Sequence, residues 1–310
     1  MLKGRDFLSI HDFKVDEVEE ILETAKELKA MQKAGIEHHI LRGKTLGMIF
    51  EKSSTRTRVS FETGMYQLGG QALFLSGRDL QIGRGEPIKD TARVLSRYLD
   101  GIMIRTFEHS RAVELAQYAD VPVINALTDL LHPCQALTDL LTIREYKGKN
   151  LQGLKMAYVG DGNNMTNSLM FACAKTGMHF VIATPKGYEP DAGVARNAIE
   201  DARVTGAVIE FTNDPYVAAK DADVICTDTW ASMGQEAEHE ERKKIFAPYQ
   251  VNRDLVAVAD KRAIVMHCLP AYRGEEITED VLEKNAAVIF DEAENRLHTQ
   301  KAIMALTMCD

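Results

Sequence analysis

Short apolar segments alternate with helical patterns along most of the sequence, and this alternation constrains the fold more than any other feature. Apolar runs bounded by turn residues predict buried strands, and apolar residues repeating every three or four positions between them predict helices. Because parallel strands are joined by helical crossovers, the pattern is typical of an α/β fold. At 310 residues the chain exceeds the usual size of a single core, so we expect two domains.

The boundary between the two predicted domains lies in a polar, glycine-containing segment at residues 144–153. Each domain is predicted to be a mainly parallel sheet flanked by helices. The predicted strands are 46–50, 72–75, 101–105, 121–125, 154–159, 179–183, 208–211, 224–227, 264–266 and 288–290. The predicted helices include 16–32, 59–68, 88–98, 110–118, 136–143 and 297–308. We expect the last helix to return to the first domain, which gives domains of 1–143 with 291–310 and of 144–290.

The composition excludes several classes of partner. Lysine and arginine number 37 against 46 aspartates and glutamates, so the net charge is −9, which is unfavourable for binding nucleic acid or an anionic membrane. The five cysteines lack the spacing of a zinc site or a disulfide framework, and no apolar run reaches membrane-spanning length. We therefore expect a cytoplasmic protein without a metal, a membrane contact or a nucleic-acid partner.

Residues 53–58 read Ser-Ser-Thr-Arg-Thr-Arg and stand between a predicted strand and a predicted helix. The backbone N–H groups and the dipole of a helix N-terminus favour an anion. Arg56 and Arg58 add full positive charge, and a guanidinium group matches phosphate oxygens in a bidentate fork. The alternative is a helix capped by Ser53 or Ser54 with two solvated arginines, but two cations there oppose the helix dipole. The segment therefore predicts a phosphate-binding cradle.

Three further polar residues of the first domain lie at the ends of predicted elements. Arg105 ends the strand 101–105, at the carboxyl edge where ligands bind in open parallel sheets. His132 and Gln135 precede the helix 136–143, where an imidazole can polarise a carbonyl group and an amide can both donate and accept. Each has an ordinary alternative, either a solvated arginine at a strand end or residues that only cap a helix.

Two loops of the second domain carry polar groups suited to an amino acid. Asp228 follows the strand 224–227, where its carboxylate can accept from an α-ammonium group. Ser232 and the amide of Met233 can meet the other polar groups of such a ligand. Cys268 follows the next predicted strand, where its thiol can contact an amine. The alternatives are an Asx-turn at Asp228 and a buried apolar cysteine.

Gly160 and Gly162 follow a predicted strand and resemble the opening of a dinucleotide site, although the third glycine of that motif is missing. A nicotinamide-dependent oxidoreductase is therefore a weaker alternative. The next residues, Asn163 and Asn164, can instead present amide groups to a carboxylate, or one of them can cap the following helix.

Four motifs resemble those of the ornithine carbamoyltransferases in order and spacing over essentially the full length: Ser-Ser-Thr-Arg-Thr-Arg, His-Pro-Cys-Gln, Asp-Thr-Trp-Ala-Ser-Met-Gly-Gln-Glu and His-Cys-Leu-Pro. Aspartate carbamoyltransferases share elements like the first two, whereas the last two point to ornithine. The resemblance implies transfer of a carbamoyl group from carbamoyl phosphate to the δ-amino group of L-ornithine, giving L-citrulline and phosphate, without a cofactor. The same site residues serve both arginine biosynthesis and the breakdown of citrulline for energy. The resemblance also implies a first domain that binds carbamoyl phosphate, a second that binds ornithine, and a homotrimer or a multiple of trimers.

The same resemblance assigns roles to single residues. It implies that the catalytic residues are Arg105, His132 and Cys268. It implies that carbamoyl phosphate is bound by Ser54, Thr55, Arg56, Thr57, Gln81, Arg105, His132, Gln135, Cys268, Leu269 and Arg296. It implies that ornithine is bound by Asn164, Asp228, Ser232 and Met233. Putrescine and acetylornithine are alternative acceptors, and a non-catalytic paralogue on the same fold is an alternative to an enzyme.

Overall fold

The computed structural model describes residues 2–231 and 238–309. The chain divides into two compact units, the first comprising Met1–Leu141 with Asn295–Asp310 and the second comprising Thr142–Glu294. Among the described residues, no helix is both long enough and apolar enough to cross a membrane.

The first unit is built on a four-stranded sheet. Its strands are β1 (Thr45–Phe50), β2 (Gln71–Ser76), β3 (Gly101–Arg105) and β4 (Val123–Leu127), which pair in parallel in the order β2–β1–β3–β4. The central strands β1 and β3 are buried, as expected where helices cover both faces of a parallel sheet. Strand β4 begins at Val123 and not at residue 121. The reason is that Pro122 has no N–H for the ladder, and only its carbonyl accepts from Ile102.

Five helices follow or precede these strands. They are α1 (Val15–Lys33), α2 (Thr55–Gln67), α3 (Ile88–Leu95), α4 (His109–Tyr118) and α5 (Pro133–Lys147), the last of which runs on into the second unit. Helix α2 begins four residues before its predicted start at residue 59, because the hydroxyl of Ser54 caps it.

The second unit is built on a five-stranded parallel sheet. Its strands are β5 (Lys155–Val159), β6 (His179–Ala183), β7 (Ile209–Thr212), β8 (Val224–Thr227) and β9 (Ile264–His267), in the order β7–β6–β5–β8–β9. Its helices are α6 (Asn164–Thr176), α7 (Ala192–Thr205), α8 (Pro215–Ala219), α9 (His239–Phe246), α10 (Arg253–Val256) and α11 (Glu279–Lys284). The two parallel sheets flanked by helices confirm the predicted α/β class.

In each sheet the strand order reverses beside its first strand. Strand β1 lies between β2 and β3, and strand β5 lies between β6 and β8. Ligands of open parallel sheets bind at such a reversal, outside the carboxyl ends of the strands. The segments after β1 and β3, and those after β5 and β8, are therefore the positions at which to look for a site.

The prediction of a strand at residues 288–290 is wrong. These residues lie in the first turns of a single helix, α12 (Ala286–Met308). Ile289 is fully buried while Phe290 is 57 % exposed. A short apolar run fits a buried strand and one side of a helix equally well, and the helical pattern that continues to residue 308 decides between them.

The C-terminal part of α12 packs on the first unit. Lys29 of α1 donates through Nζ to Asn295 Oδ1 at 2.8 Å, and Lys301 donates through Nζ to Gln67 Oε1 of α2 at 2.9 Å. Lys301 is fully buried, and burial lowers the pKa of its ammonium group to about 8. These contacts confirm the predicted return of the last helix to the first domain.

Candidate active site

Ser54 and Thr57 organise the start of α2, directly after β1. Ser54 Oγ accepts the N–H of Thr57 at 3.2 Å and lies 3.1 Å from Thr57 Oγ1. Thr55 is exposed in the same turn, and Arg56 is half-buried. The alternative of a capped helix is thus correct for Ser54, but the cap and an anion site are compatible because the cap uses only one of the N-terminal N–H groups.

Two buried arginines converge on the hydroxyl group of Thr57. Arg296 donates through Nη2 to Thr57 Oγ1 at 2.8 Å, and Arg105 Nη1 lies 3.4 Å from the same oxygen. Both guanidinium groups belong to residues that are at most 6 % exposed. The pairing of β3 with β4 is irregular between Ile104 and Arg105, and such an irregularity re-aims the side chain at a strand end.

Helix α5 adds two polar groups to this cluster. Gln135 Oε1 accepts from Arg296 Nη1, and Gln135 Nε2 donates to Asp139 Oδ1 at 2.8 Å. Asp139 therefore fixes which end of the Gln135 amide faces the arginine. His132 Nε2 lies 3.5 Å from Arg296 Nη1. Proline at the first position of α5 starts the helix just after His132 and holds both residues at its N-terminus.

The electrostatics of the cluster keep His132 neutral. Burial lowers the pKa of His132 well below its usual value of 6.5, and the charges of Arg296, Arg105 and Arg56 lower it further. The neutral ring can accept a hydrogen bond at Nε2, which faces Arg296 Nη1. A neutral imidazole among three cations leaves the cluster strongly positive, and an anion would stabilise it.

Arg58 and Gln81 of the first unit have surroundings that differ from those of this cluster. Arg58, predicted to supply charge to the phosphate cradle, instead donates to Glu62 Oε1 at 3.0 Å and lies 3.8 Å over the ring of Phe74. The prediction for Arg58 is wrong because an i, i+4 ion pair on α2 and a cation–π contact hold it on another side of the helix. Gln81 is exposed at the start of the 3₁₀ turn Gln81–Arg84.

The second unit presents a separate cluster of polar side chains at the ends of β5, β8 and β9. Asn163 caps α6 by accepting from Met165 N at 2.9 Å, and its Nδ2 donates to Asp228 Oδ2 at 2.9 Å. Asp228 Oδ1 accepts from its neighbour Thr229 N at 2.8 Å. The capping residue is thus Asn163, while the predicted ligand-binding residue Asn164 is the first residue of α6 and is half-buried.

Cys268 joins this second cluster from β9. Its Sγ donates to Asp228 Oδ1 at 3.2 Å. Asp228 is 9 % exposed, and Cys268 is more accessible than the buried cysteines Cys134, Cys173 and Cys226. The predicted alternative of a wholly buried apolar cysteine is therefore wrong for Cys268, and the thiol and carboxylate form a pair suited to an amine.

Asp228, His267 and Cys268 place one possible metal-ligand atom each within 4.8 Å of one another. Both ring nitrogens of His267 are already engaged, because Nδ1 accepts from Leu269 N at 2.9 Å and Nε2 lies 2.9 Å from Glu276 Oε1. A metal would have to displace one of these bonds, so the group does not have the arrangement of a preformed metal site.

The glycine turn after β5 is covered by the chain itself. Gly162 N donates to Tyr188 O at 3.0 Å, and a Cβ atom at Gly162 would lie 2.4 Å from Pro190 N. In a dinucleotide site the corresponding N–H groups bind the pyrophosphate, and the glycines let the backbone approach it closely. Here the close approach is made by the segment 188–190, which removes the main support for the oxidoreductase alternative.

Arg242 ties together two loops of the second unit. It donates through Nη2 to Asp161 Oδ2 and through Nε to Trp230 O at 2.5 Å, and its guanidinium lies 5.1 Å from the ring of Phe246. Burial raises the pKa of Asp161 to about 7 although Arg242 opposes the shift. The predicted ligand-binding residues Ser232 and Met233 lie outside the described residues.

Sequence reasoning missed several residues that support these clusters. Asp139 was detectable in principle, since it stands four residues after Gln135 on a predicted helix. Arg242 follows Asp161 by 81 residues, and Glu276 follows His267 by nine, so neither contact has the spacing of a regular helix or strand. Their contacts depend on how the chain returns to the sheet.

Comparison with known proteins connects each half of the chain to a described domain. The family model described as "Aspartate/ornithine carbamoyltransferase, carbamoyl-P binding domain" matches residues 5–145. The family model described as "Aspartate/ornithine carbamoyltransferase, Asp/Orn binding domain" matches residues 152–307.

Individual relatives cover nearly the whole chain. A protein of Anoxybacillus flavithermus named ornithine carbamoyltransferase is 62 % identical over 303 residues, covering 98 % of this chain and 96 % of its own length. The solved ornithine carbamoyltransferase of Pyrococcus furiosus superimposes with a TM-score of 0.96 at 58 % identity, covering 99 % and 98 % of the two chains. The anabolic ornithine carbamoyltransferase of Campylobacter jejuni superimposes with a TM-score of 0.92 at 45 % identity, covering 97 % of each chain.

Proposed function

We propose that this chain, which belongs to the aspartate/ornithine carbamoyltransferase family, transfers the carbamoyl group of carbamoyl phosphate to the δ-amino group of L-ornithine, giving L-citrulline and phosphate. The predicted family membership is confirmed by the two family models. The observation that carries the proposal is the convergence of Arg105 and Arg296 on Thr57 at the N-terminus of α2. The anabolic relative of Campylobacter jejuni supports a role in arginine biosynthesis.

The proposal places carbamoyl phosphate at the cluster of the first unit. Phosphate oxygens would be bound by the N-terminus of α2 with Arg56, and the carbamoyl oxygen would be bound near Arg105 and His132. The bounds proposed for this domain are 1–143 with 291–310. The remaining residues proposed to contact carbamoyl phosphate are Ser54, Thr55, Thr57, Gln81, Gln135, Cys268, Leu269 and Arg296.

Ornithine is proposed to bind the cluster of the second unit, in a domain of residues 144–290. Asp228 is buried and accepts from three donors, so its carboxylate is held in place and can pair with an ammonium group of the substrate. Asn164, Ser232 and Met233 are the further residues proposed for the α-amino and α-carboxylate groups.

The proposed reaction begins when the deprotonated δ-amine attacks the carbamoyl carbon. The carbonyl electron pair moves to oxygen, and this oxyanion is stabilised by Arg105 and by N–H or O–H donors of the cluster, with Thr57 held in reach. The electron pair returns as the bond to the phosphate oxygen breaks, and the proton lost by the former amine passes to the departing phosphate, which leaves as the hydrogen phosphate dianion. Arg56 and the helix N-terminus stabilise the departing phosphate dianion.

The decisive assay offers several acceptors to the purified protein. Carbamoyl phosphate is supplied with ornithine, putrescine, acetylornithine or aspartate, and both the ureido product and released phosphate are measured. We expect citrulline from ornithine and no product from the other three. A ureido product from putrescine alone would contradict the acceptor, and no product from any acceptor would support a non-catalytic protein.

The two arginines of the cradle motif provide a matched test of the phosphate site. Arg56→Ala is expected to weaken carbamoyl phosphate binding by about 10- to 150-fold, because a hydrogen bond to a charged group is worth roughly 1.5–3 kcal/mol. Arg58→Ala removes the same charge from the same turn, but the guanidinium group of Arg58 contacts Glu62 and Phe74. The dissociation constant of this variant for carbamoyl phosphate is therefore expected to stay near the wild-type value. Titration calorimetry measures both. Equal losses of carbamoyl phosphate affinity in the two variants would show a general effect of charge and would contradict a phosphate-binding role for Arg56.

The rate is expected to rise with pH. The δ-ammonium group of ornithine resembles that of lysine, whose pKa is about 10.4, so kcat/KM should rise about tenfold per pH unit from pH 7 to 9 as the nucleophilic amine forms. His132 adds no step in this range because its pKa lies well below 6.5. A profile of kcat/KM for ornithine that is flat from pH 6 to 9 would exclude amine deprotonation as the limiting factor.

We also propose that the protein is cytoplasmic and assembles as a homotrimer or a multiple of trimers. Edge strand β2 supports association, since its Leu73 and Phe74 are 41 % and 38 % exposed, and Val59 and Tyr66 of α2 are more exposed still. An exposed apolar sheet edge is stabilised when a second copy covers it. Sedimentation equilibrium would measure the assembly, and a monomer would contradict the proposal.

A further inference from the structure

His267 and Glu276 form a fully buried pair beside Cys268. Both residues have 0 % of their surface exposed, and His267 Nε2 lies 2.9 Å from Glu276 Oε1. Neither has a role in the proposed chemistry, and neither side chain contacts solvent. A buried ionisable pair is costly to keep, so its geometry calls for an explanation beyond stability.

The hydrogen bonds of the ring fix its tautomer. Leu269 N donates to His267 Nδ1 at 2.9 Å, so Nδ1 must be the nitrogen without a proton. The proton then lies on Nε2 and is donated to Glu276 Oε1. If the ring were protonated on Nδ1, the Nδ1–H group would face the N–H of Leu269, and the hydrogen bond between them would be lost.

The bond from Leu269 to the ring sets the turn after β9. Leu269 has a φ of +57°, a left-handed conformation that is rare for a branched residue and is kept only where its surroundings enforce it. The Cys268–Leu269 peptide is trans, so its carbonyl points away from the ring that accepts its N–H. The same turn carries the Cys268 thiol, which donates to Asp228 Oδ1 at 3.2 Å.

Glu276 is itself firmly held. Its Oε1 also accepts from Tyr272 N at 2.6 Å, and its backbone carbonyl accepts from Val251 N at 2.8 Å. One carboxylate oxygen thus binds both the ring at the start of the loop and the backbone near its middle. The loop between His267 and Glu276 is closed around this buried group.

We propose that His267 and Glu276 are positioning residues for the transfer reaction. Glu276 fixes the tautomer of His267, and His267 Nδ1 fixes the turn that presents the Cys268 thiol, the Cys268 carbonyl and Leu269 to the amino groups of the substrates. This inference rests on the proposed function, since it assigns the pair a purpose only if Cys268 and Leu269 contact the reacting groups.

Two substitutions of His267 separate positioning from stability. In His267→Asn the side-chain oxygen can take the place of Nδ1 and keep the acceptor for Leu269, while the donor to Glu276 is lost. In His267→Gln the longer amide can keep the donor to Glu276, while the acceptor for Leu269 is lost. Each variant therefore removes one of the two bonds that the ring makes.

The expected outcome is that stability and rate follow opposite orders. His267→Asn should unfold at the lower temperature, because the buried carboxylate loses a donor, yet its kcat should stay within about tenfold of the wild-type value. His267→Gln should be the more stable variant, yet its kcat should fall about 100-fold, because a small misplacement of reacting groups has that effect. A kcat that follows the melting temperature in both variants would overturn the proposal, and so would a wild-type kcat in His267→Gln.

Two further measurements keep the test decisive. If His267→Asn does not fold, the double variant with Glu276→Gln removes the uncompensated charge and is expected to restore folding and kcat together. The alkylation rate of Cys268 by iodoacetamide, read by peptide mass spectrometry in the unliganded protein, should change in His267→Gln and stay at the wild-type rate in the Asn variant. Alkylation does not depend on turnover. An inactive wild-type protein would therefore refute the proposed function while leaving this test of the turn intact, whereas equal alkylation rates in all variants would refute the positioning role alone.

Discussion

Replacing Asp228 with asparagine is expected to lower kcat/KM for ornithine by about 10³-fold, roughly 4 kcal/mol, which lies within the usual loss when one partner of a buried charge pair is removed. The charge that would pair with the substrate ammonium group disappears. The amide also conflicts with its surroundings, because Asp228 accepts from Asn163, Thr229 and Cys268, all of them donors. An asparagine has only one oxygen to accept from these three donors. Its NH₂ group would face the remaining donors, with which it forms no hydrogen bond.

The effect should be confined to the amino-acid substrate. Carbamoyl phosphate affinity, measured by calorimetry, is expected to match the wild-type value, because Asp228 is proposed to contact ornithine and not carbamoyl phosphate. Asp254→Asn changes an exposed carboxylate of the same unit and serves as the control for net charge. A loss of less than tenfold in kcat/KM for ornithine, or an equal loss of carbamoyl phosphate affinity, would contradict the role given to Asp228.

Replacing Arg105 with alanine is expected to lower kcat by about 10²- to 10³-fold, the usual effect of removing one donor that stabilises an oxyanion. Arg105 is 6 % exposed, so its charge acts in a medium that screens it little. Arg105→Lys keeps the charge but not the planar fork, and its kcat should lie between those of the alanine variant and the wild-type protein. Steady-state citrulline formation at saturating substrate measures all three proteins.

A control and a second readout accompany the Arg105 variants. Arg97→Ala removes an exposed arginine of the same unit and should leave kcat unchanged. Because Arg105 is one of the charges that lower the pKa of His132, that pKa should move upward in Arg105→Ala. NMR titration of the ring would detect the shift. A kcat within tenfold of the wild-type value in Arg105→Ala would remove this residue from the catalytic machinery.

Much of the fold could be predicted from the sequence because strands buried on both faces give continuous apolar runs. Strands β3, β6 and β8 have the predicted ends. The chain order of strands and helices also predicted which loops lie at the carboxyl edges of the sheets. The positions of Arg105 and Asp228 follow from that rule alone, without any knowledge of the contacts that hold their side chains.

The sequence was insufficient where two local signals competed or where a partner was distant. Arg58 and Arg56 are the same residue type in the same motif, but Arg58 pairs with Glu62 because it lies on the side of α2 that faces Phe74. Asn163 and Asn164 differ by one position, and only the start of α6 shows which of them caps the helix. The pairing of His267 with Glu276 requires the whole loop between them to close.

The course of α12 has a consequence for synthesis on the ribosome. The cluster around Thr57 is built from residues of the first 141 positions, with one exception: Arg296 follows the entire second unit in the chain. A nascent chain that has already made β1 to β4 therefore lacks one of the two buried guanidinium groups until α12 has been translated. The chain cannot complete the proposed anion site before its second unit has been synthesised, so a truncated product would carry residues 53–58 without the guanidinium group of Arg296.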